Sequence, residues 1–142
     1  QLAESFTAAL NRFGLDLLIA SELEDPRFQP ECMKIMSLTL EDLKPLAAYP
    51  LHSRVICNNF DPAWVEAAIR QLPANFYFDV AGFGKTAMAM EKVVEAAGTE
   101  RLVFGSGRPV FYPHAAKDNL VNSLMPAGLV EEIIRGLPDQ AP

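Results

Sequence analysis

Four short apolar runs, each followed by a helix-sized stretch, constrain this chain more than any other feature. They are Leu15 to Ala20, His52 to Asn58 with Val55, Ile56 and Cys57 at its centre, Asn75 to Ala81, and Arg101 to Gly105. Runs of this length bounded by turn-forming residues read as strands, and the first, apolar at nearly every position, has the pattern of a strand buried on both faces of a parallel sheet. The segments between them carry helical spacing. Val65, Ala68, Ile69 and Leu72 form one stripe, opened by Asp61-Pro62 as N-cap and first helical residue and stopped by Pro73. Met90, Val93, Val94 and Ala97 form another, closed by Gly98. Strand and helix alternating four times predict an α/β protein with right-handed crossovers, a parallel sheet and a ligand face at the C-terminal ends of the strands.

Outside these units the chain opens on a helix whose face is Phe6, Ala9, Leu10 and Phe13, with Gly14 placed for a left-handed cap. Thr39 and Asp42 have the spacing of a capping box for a helix through Ala48, and Pro45 is equally compatible with a later start in which it occupies the first turn. Pro113 opens a helix through Leu124, and Leu129, Val130, Ile133 and Ile134 mark a last one before Gly136. The run from Asp25 to Leu38 has no period and reads as a lid-like loop. Two architectures suit this order: an open four-stranded sandwich, or half of an eight-unit barrel, since a whole barrel takes about 250 residues.

Composition narrows the partners. A chain of 142 residues, half of them hydrophobic, holds one domain with a real core, and no low-complexity tract marks a second. A formal net charge of −6 argues against nucleic acid, whose phosphates need clustered Lys and Arg. No stretch approaches the roughly 18 apolar residues of a membrane span. No charged start followed by an apolar core suggests a signal peptide, and the expected location is cytoplasmic. Opening on Gln1 rather than Met is what a processed or trimmed product would do. Cys32 and Cys57 are too few for a disulfide framework and read as reduced thiols.

The polar residues that this topology brings to one edge are Glu22 and Glu24 after the first strand, Asn58 and Asn59 after the second, Asp79 late in the third, and Ser106, Gly107 and Arg108 after the fourth. They are candidates for holding one polar ligand. Arg108 leads them, because it follows two glycines and a guanidinium grips a carboxylate at two points. The competing reading makes Glu22, Glu24 and Asn59 solvated loop residues and Asp79 a cap on a neighbouring backbone amide. Gly82-Phe83-Gly84-Lys85-Thr86 resembles the end of a phosphate-binding loop, although Asp79 stands where the full pattern needs glycine. Lys85 and Arg108, with the glycine-rich turns that carry them, would suit a phosphate or carboxylate group. No residue pair identifies a catalytic group: His52 and His114 lack a second His at ligand spacing, and Cys57 lacks a base.

The fourth unit, Glu100-Arg101-Leu102-Val103-Phe104-Gly105-Ser106 followed by Arg108-Pro109, resembles the last barrel strand of the amidohydrolase-related, metal-dependent hydrolases. Ala74-Asn75-Phe76-Tyr77-Phe78-Asp79, Tyr112-Pro113 leading into a helix, and Glu131-Glu132-Ile133-Ile134-Arg135-Gly136 extend the resemblance over most of the chain. The resemblance implies a parallel (βα)4 half-barrel corresponding to strands five to eight of a TIM-type (β/α)8 barrel, with residues 1–142 one domain of a larger or self-assembled barrel. It also implies hydrolysis of a small carboxylated or cyclic substrate. The family's usual metal ligands are missing here. Gly107 stands where the eighth-strand Asp belongs, and Ala20-Ser21-Glu22 and Cys57-Asn58-Asn59 stand where the fifth- and sixth-strand His residues belong. No metal ligand is therefore assigned to this chain, and a divalent metal such as zinc enters only if a partner segment supplies the ligands. The alternative is a non-catalytic anion-binding or assembly module on the same scaffold. The expected partners are a small, anionic ligand and either a second copy, as a homodimer, or a missing N-terminal half.

Overall fold

The computed structural model describes residues 2–21, 30, 32, 38–85, 88–105 and 113–136. Helix α1 (Leu2–Phe13) leads into strand β1 (Leu17–Ala20), followed by α2 (Leu40–Ala47), β2 (Val55–Asn58), α3 (Pro62–Gln71), β3 (Phe76–Asp79), α4 (Ala89–Ala97), β4 (Leu102–Val103), α5 (Pro113–Val121) and α6 (Ala127–Arg135). The four strands form a single all-parallel sheet in the order β1-β2-β3-β4. Its register pairs Leu17 with Val55, Val55 with Phe76, and Phe78 with Leu102. The expected α/β class with helices between parallel strands is what the chain adopts. No helix among the described residues is long and apolar enough to cross a membrane.

The sheet is covered by helices on one face. Alternate strand residues point to opposite faces, and Val55, Cys57, Phe76, Phe78 and Leu102 share one core with Leu43 of α2, Val65 and Ala68 of α3, Met90 and Val93 of α4, Leu120 of α5 and Ile133 of α6. The other parity comprises Leu18, Ile56 and Tyr77 in one row and Ala20, Asn58, Asp79 and Val103 in the next. Beside the sheet, Trp64 of α3 stacks on Phe60 at 4.0 Å and meets the edge of Phe78 at 6.3 Å.

Local signals set the helix starts. Thr39 caps α2 by accepting from the Asp42 amide, while Asp42 accepts from the Thr39 amide at 2.8 Å, so the earlier of the two starts is adopted and Pro45 lies inside the helix. Pro45 is tolerable there because both it and Glu41, whose carbonyl loses its partner, are exposed to water. Asp61 accepts from the Ala63 amide at 2.9 Å, with Pro62 at the first helical position. Gly14, Gly98 and Gly136 all have φ between 60° and 77°, as the caps they were expected to form require.

Four expectations are corrected. Strand β1 is not buried on both faces, since it is an edge strand and Leu18 remains 60% exposed. A continuous apolar run cannot distinguish a central strand from an edge one. The α1 stripe buries Leu10 but leaves Phe6 and Phe13 exposed, and the α6 stripe buries Ile133 while Ile134 is exposed. Helix α5 stops at Val121 rather than Leu124, where the chain turns so that the Leu124 amide donates to Glu91 Oε1 at 2.8 Å. The lid-like loop falls almost entirely outside the described residues.

Arg101 binds the layers together. Its Nε donates to the Phe76 carbonyl at 2.7 Å, and Nη1 donates to the carbonyls of Ile69 at 2.8 Å and Leu72 at 3.2 Å. Those last two lie at the end of α3, where helix carbonyls have no partner within the helix. The guanidinium also sits 5.2 Å from the Phe78 ring centre, and burial lowers its pKa from the ordinary arginine value. Replacing Arg101 with Met keeps the stem but strands three carbonyls, so we expect a loss of about 3 kcal/mol in urea denaturation. Removing the exposed Glu66–Arg70 pair with Arg70→Ala should change stability by no more than about 0.5 kcal/mol.

Candidate functional site

The C-terminal ends of β2, β3 and β4 converge on a small polar edge. Asn58 ends β2 and Asp79 ends β3, each one residue beyond the paired Cys57 and Phe78. Asn59, the next residue, has φ of 60°, a left-handed conformation that asparagine adopts more readily than other side chains. That turn directs the chain from β2 into the Asp61 cap of α3.

Asp79 is the centre of this edge. Its side chain is 2% exposed, and Oδ1 accepts from the Ala81 amide at 2.7 Å. It also accepts from the Gly105 amide, which ties the end of β3 to the residue where β4 gives way to the next loop. Burial pushes the Asp79 carboxyl above the ordinary carboxylate range, and the two backbone amides pull against that shift. Gly105 is required on steric grounds, because a Cβ added there would overlap the Asp79 carboxylate.

The glycine-rich run after β3 winds into a 3₁₀ helix, Ala81–Lys85. Phe83 is buried and its amide donates to the Val80 carbonyl at 3.1 Å, so that amide is not available to a bound anion. Gly82 packs its α-carbon close to the Asn59–Phe60 backbone. Beside this turn, a cleft of about 370 Å³ is lined by Phe83, Met88, Met90, Asn119, Asn122 and Ser123 among others. It has no counterpart in the sequence reading, because its walls come from two segments, 83–91 and 119–123, far apart in the chain.

Among the candidates, the structure brings Asn58 and Asp79 to neighbouring strand ends. Glu22, Ser106, Gly107 and Arg108 lie outside the described residues, as does the side chain of Lys85. The cap reading of Asp79 describes its observed bonds, and Gly105, which in sequence only ends the fourth apolar run, is the surface against which its carboxylate packs. Cys57 is buried, and burial pushes its thiol up to about 12 despite the pull of Arg101, so it is not a nucleophile at neutral pH.

Among the described residues the donors do not fit a divalent metal. Among the described residues no three His, Cys, Asp or Glu side chains converge, the Asp79 carboxylate already accepts from two amides, and Asn58 is a neutral, weak ligand. Comparison of the chain with family models, curated proteins and solved structures gives no match.

The contact between Gly105 and Asp79 can be measured as a cycle. Gly105→Ala should destabilise the fold by about 2 kcal/mol through overlap, and Asp79→Ala by about 2–3 kcal/mol through two stranded amides. In the Asp79→Ala background the added methyl meets no carboxylate, so the two losses should fall short of additivity by at least about 1 kcal/mol in denaturant titrations.

Asp79 also gives stability a pH dependence. Its native pKa is raised above the ordinary 3.8, so the native state holds the proton longer than the unfolded chain does. Its contribution is therefore most favourable below that ordinary value and declines as pH rises through the raised native one. Wild-type stability minus that of Asp79→Asn should fall over this window, read from urea midpoints at successive pH values. A difference that rose with pH would contradict the raised value.

Proposed function

We propose that this chain is a degenerate amidohydrolase-like module that holds a small carboxylated or cyclic molecule at the C-terminal edge of its sheet and does not hydrolyse it unaided. The observation that carries this reading is the edge itself: parallel strands ending in Asn58 and Asp79, with Asp79 fixing the start of the loop that carries Ser106, Gly107 and Arg108. Ligands of open and closed parallel sheets bind at this end, where loop residues converge. In this reading the four units correspond to strands five to eight of a TIM-type barrel. Arg108 and Lys85 supply charge to the ligand carboxylate, Asn58 and Ser106 supply neutral hydrogen bonds, and Gly107 and Glu22 border the same edge. Asp79 is a positioning residue that acts through the Gly105 amide. A cytoplasmic location belongs to the same proposal and accords with two free cysteines.

Hydrolysis by the family's route would need a metal, and the described donors do not make that site. Binding needs none. The test is calorimetric titration of metal-free protein with phthalate, a cyclic dicarboxylate. We expect saturable binding that Arg108→Ala weakens at least tenfold, as loss of a bidentate charged contact should. Lys85→Ala and Asn58→Ala should weaken it by smaller factors, and Leu124→Ala not at all. Binding that ignores both Arg108→Ala and Lys85→Ala overturns the anion site. Hydrolysis of a cyclic amide or ester by the metal-free chain overturns the assignment as a binding module.

A further inference from the structure

The two edges of the sheet are not equivalent. At β4 the outward-facing amide of Phe104 donates to the Ile133 carbonyl at 3.2 Å, so the end of α6 occupies that edge. Strand β1 pairs only with β2. The amides of Leu17 and Ser21 donate to the carbonyls of Arg54 and Asn58, which by alternation turns the Leu18 and Ala20 amides outward. Among the described residues no backbone group pairs with that outer side.

An exposed strand edge is a template for another strand unless proline, lysine, a bulge or an inward-pointing charge blunts it. From Leu15 to Ala20 there is no such device: the one charge, Asp16, is held at 2.6 Å by Arg54, the residue before β2. Large apolar side chains are exposed on the strand and on the helix that precedes it instead. Leu15 and Leu18 are 53% and 60% exposed, and Phe13 and Phe6 of the preceding helix, one face apart by seven residues, are 65% and 47% exposed.

We propose that β1 pairs with β1 of a second copy of this chain, antiparallel about a two-fold axis, to make one continuous eight-stranded sheet. The occupant is chosen by geometry and area. A strand pairs with its own copy about a two-fold only in the antiparallel sense, and that contact is closed, because β4 is blocked by α6 and cannot extend the sheet further. The four exposed side chains present on the order of 400 Å² of apolar surface. A standard interface buries roughly 800 Å² per partner, of which about 500 Å² is apolar, so these four side chains would supply most of the apolar area of a stable dimer. Strand pairing at β1 uses backbone groups and does not depend on what binds at the ligand edge.

The experiment combines light scattering across a dilution series with amide hydrogen exchange on the full chain. Wild type should have twice the chain mass at high concentration, with the Leu18 and Ala20 amides slowed when the protein is concentrated and fast when it is dilute. Leu18→Lys places like charges across the two-fold and should weaken dimerisation at least hundredfold, with its thermal midpoint measured on dilute, monomeric protein unchanged from wild type. Leu124→Lys, on the opposite side of the molecule's core, should leave the dimer intact. Three results would overturn the proposal. One is a monomer at all concentrations. Another is a dimer that survives Leu18→Lys with fast Leu18 and Ala20 amides, which would place the interface elsewhere. The third is protection of those amides that does not change with dilution, which would put another stretch of the same chain on the edge.

Discussion

Burial of one strand parity governs this molecule. Val55, Cys57, Phe76 and Phe78 are essentially inaccessible, and every helix from α2 to α6 contributes a side chain to the layer that covers them. Each such aromatic is worth roughly 1.5–3 kcal/mol against exposure, which is enough to fix which residues of β2 and β3 face inward. The opposite parity follows without further choice. Tyr77 and Asp79 must face away from the helices once Phe76 and Phe78 face them. Arg101 depends on the same layer, because its stem crosses the Phe78 ring to reach carbonyls at the end of α3.

The polar edge of the sheet inherits its order from this arrangement. Asp79 occupies the last position of β3, where an outward-facing carboxyl can reach backbone amides on both sides, Ala81 in its own chain direction and Gly105 across the strand pair. A buried carboxyl with two amide donors is a rigid joint. It holds Gly105, two residues beyond β4, against the end of β3.

Signals confined to a few residues were fully legible. Asp61 with Pro62, and Gly14, Gly98 and Gly136, each declare a helix end through geometry spanning at most four residues, and each is found where expected, while the Thr39–Asp42 box is one of two starts the sequence left open. The parallel direction of the strands followed from alternation alone, whereas their order did not, because an open sandwich and a half-barrel both suited the alternation. Features that depend on distant partners were not legible. The hold of Arg101 on α3 crosses about thirty residues, and in sequence it looked like the charged start of a strand. The position of β1 at the edge was hidden because the apolar run of an edge strand and that of a central one read alike. Asp79 was seen as both candidate ligand and cap, and only the approach of Gly105 shows how its carboxylate is held.

Cys57 lies at the middle of β2 beneath the helical layer, and its thiol, pushed up to about 12, is almost wholly protonated at neutral pH. Cys32, by contrast, is exposed. The pair makes the chain its own stopwatch. A thiol reagent modifies Cys32 at once, whereas its reaction with Cys57 waits until β2 parts from the helices and the thiol meets water. The lag between the two modifications is thus a direct clock for breathing of the core, kept by two natural side chains and requiring no engineered probe.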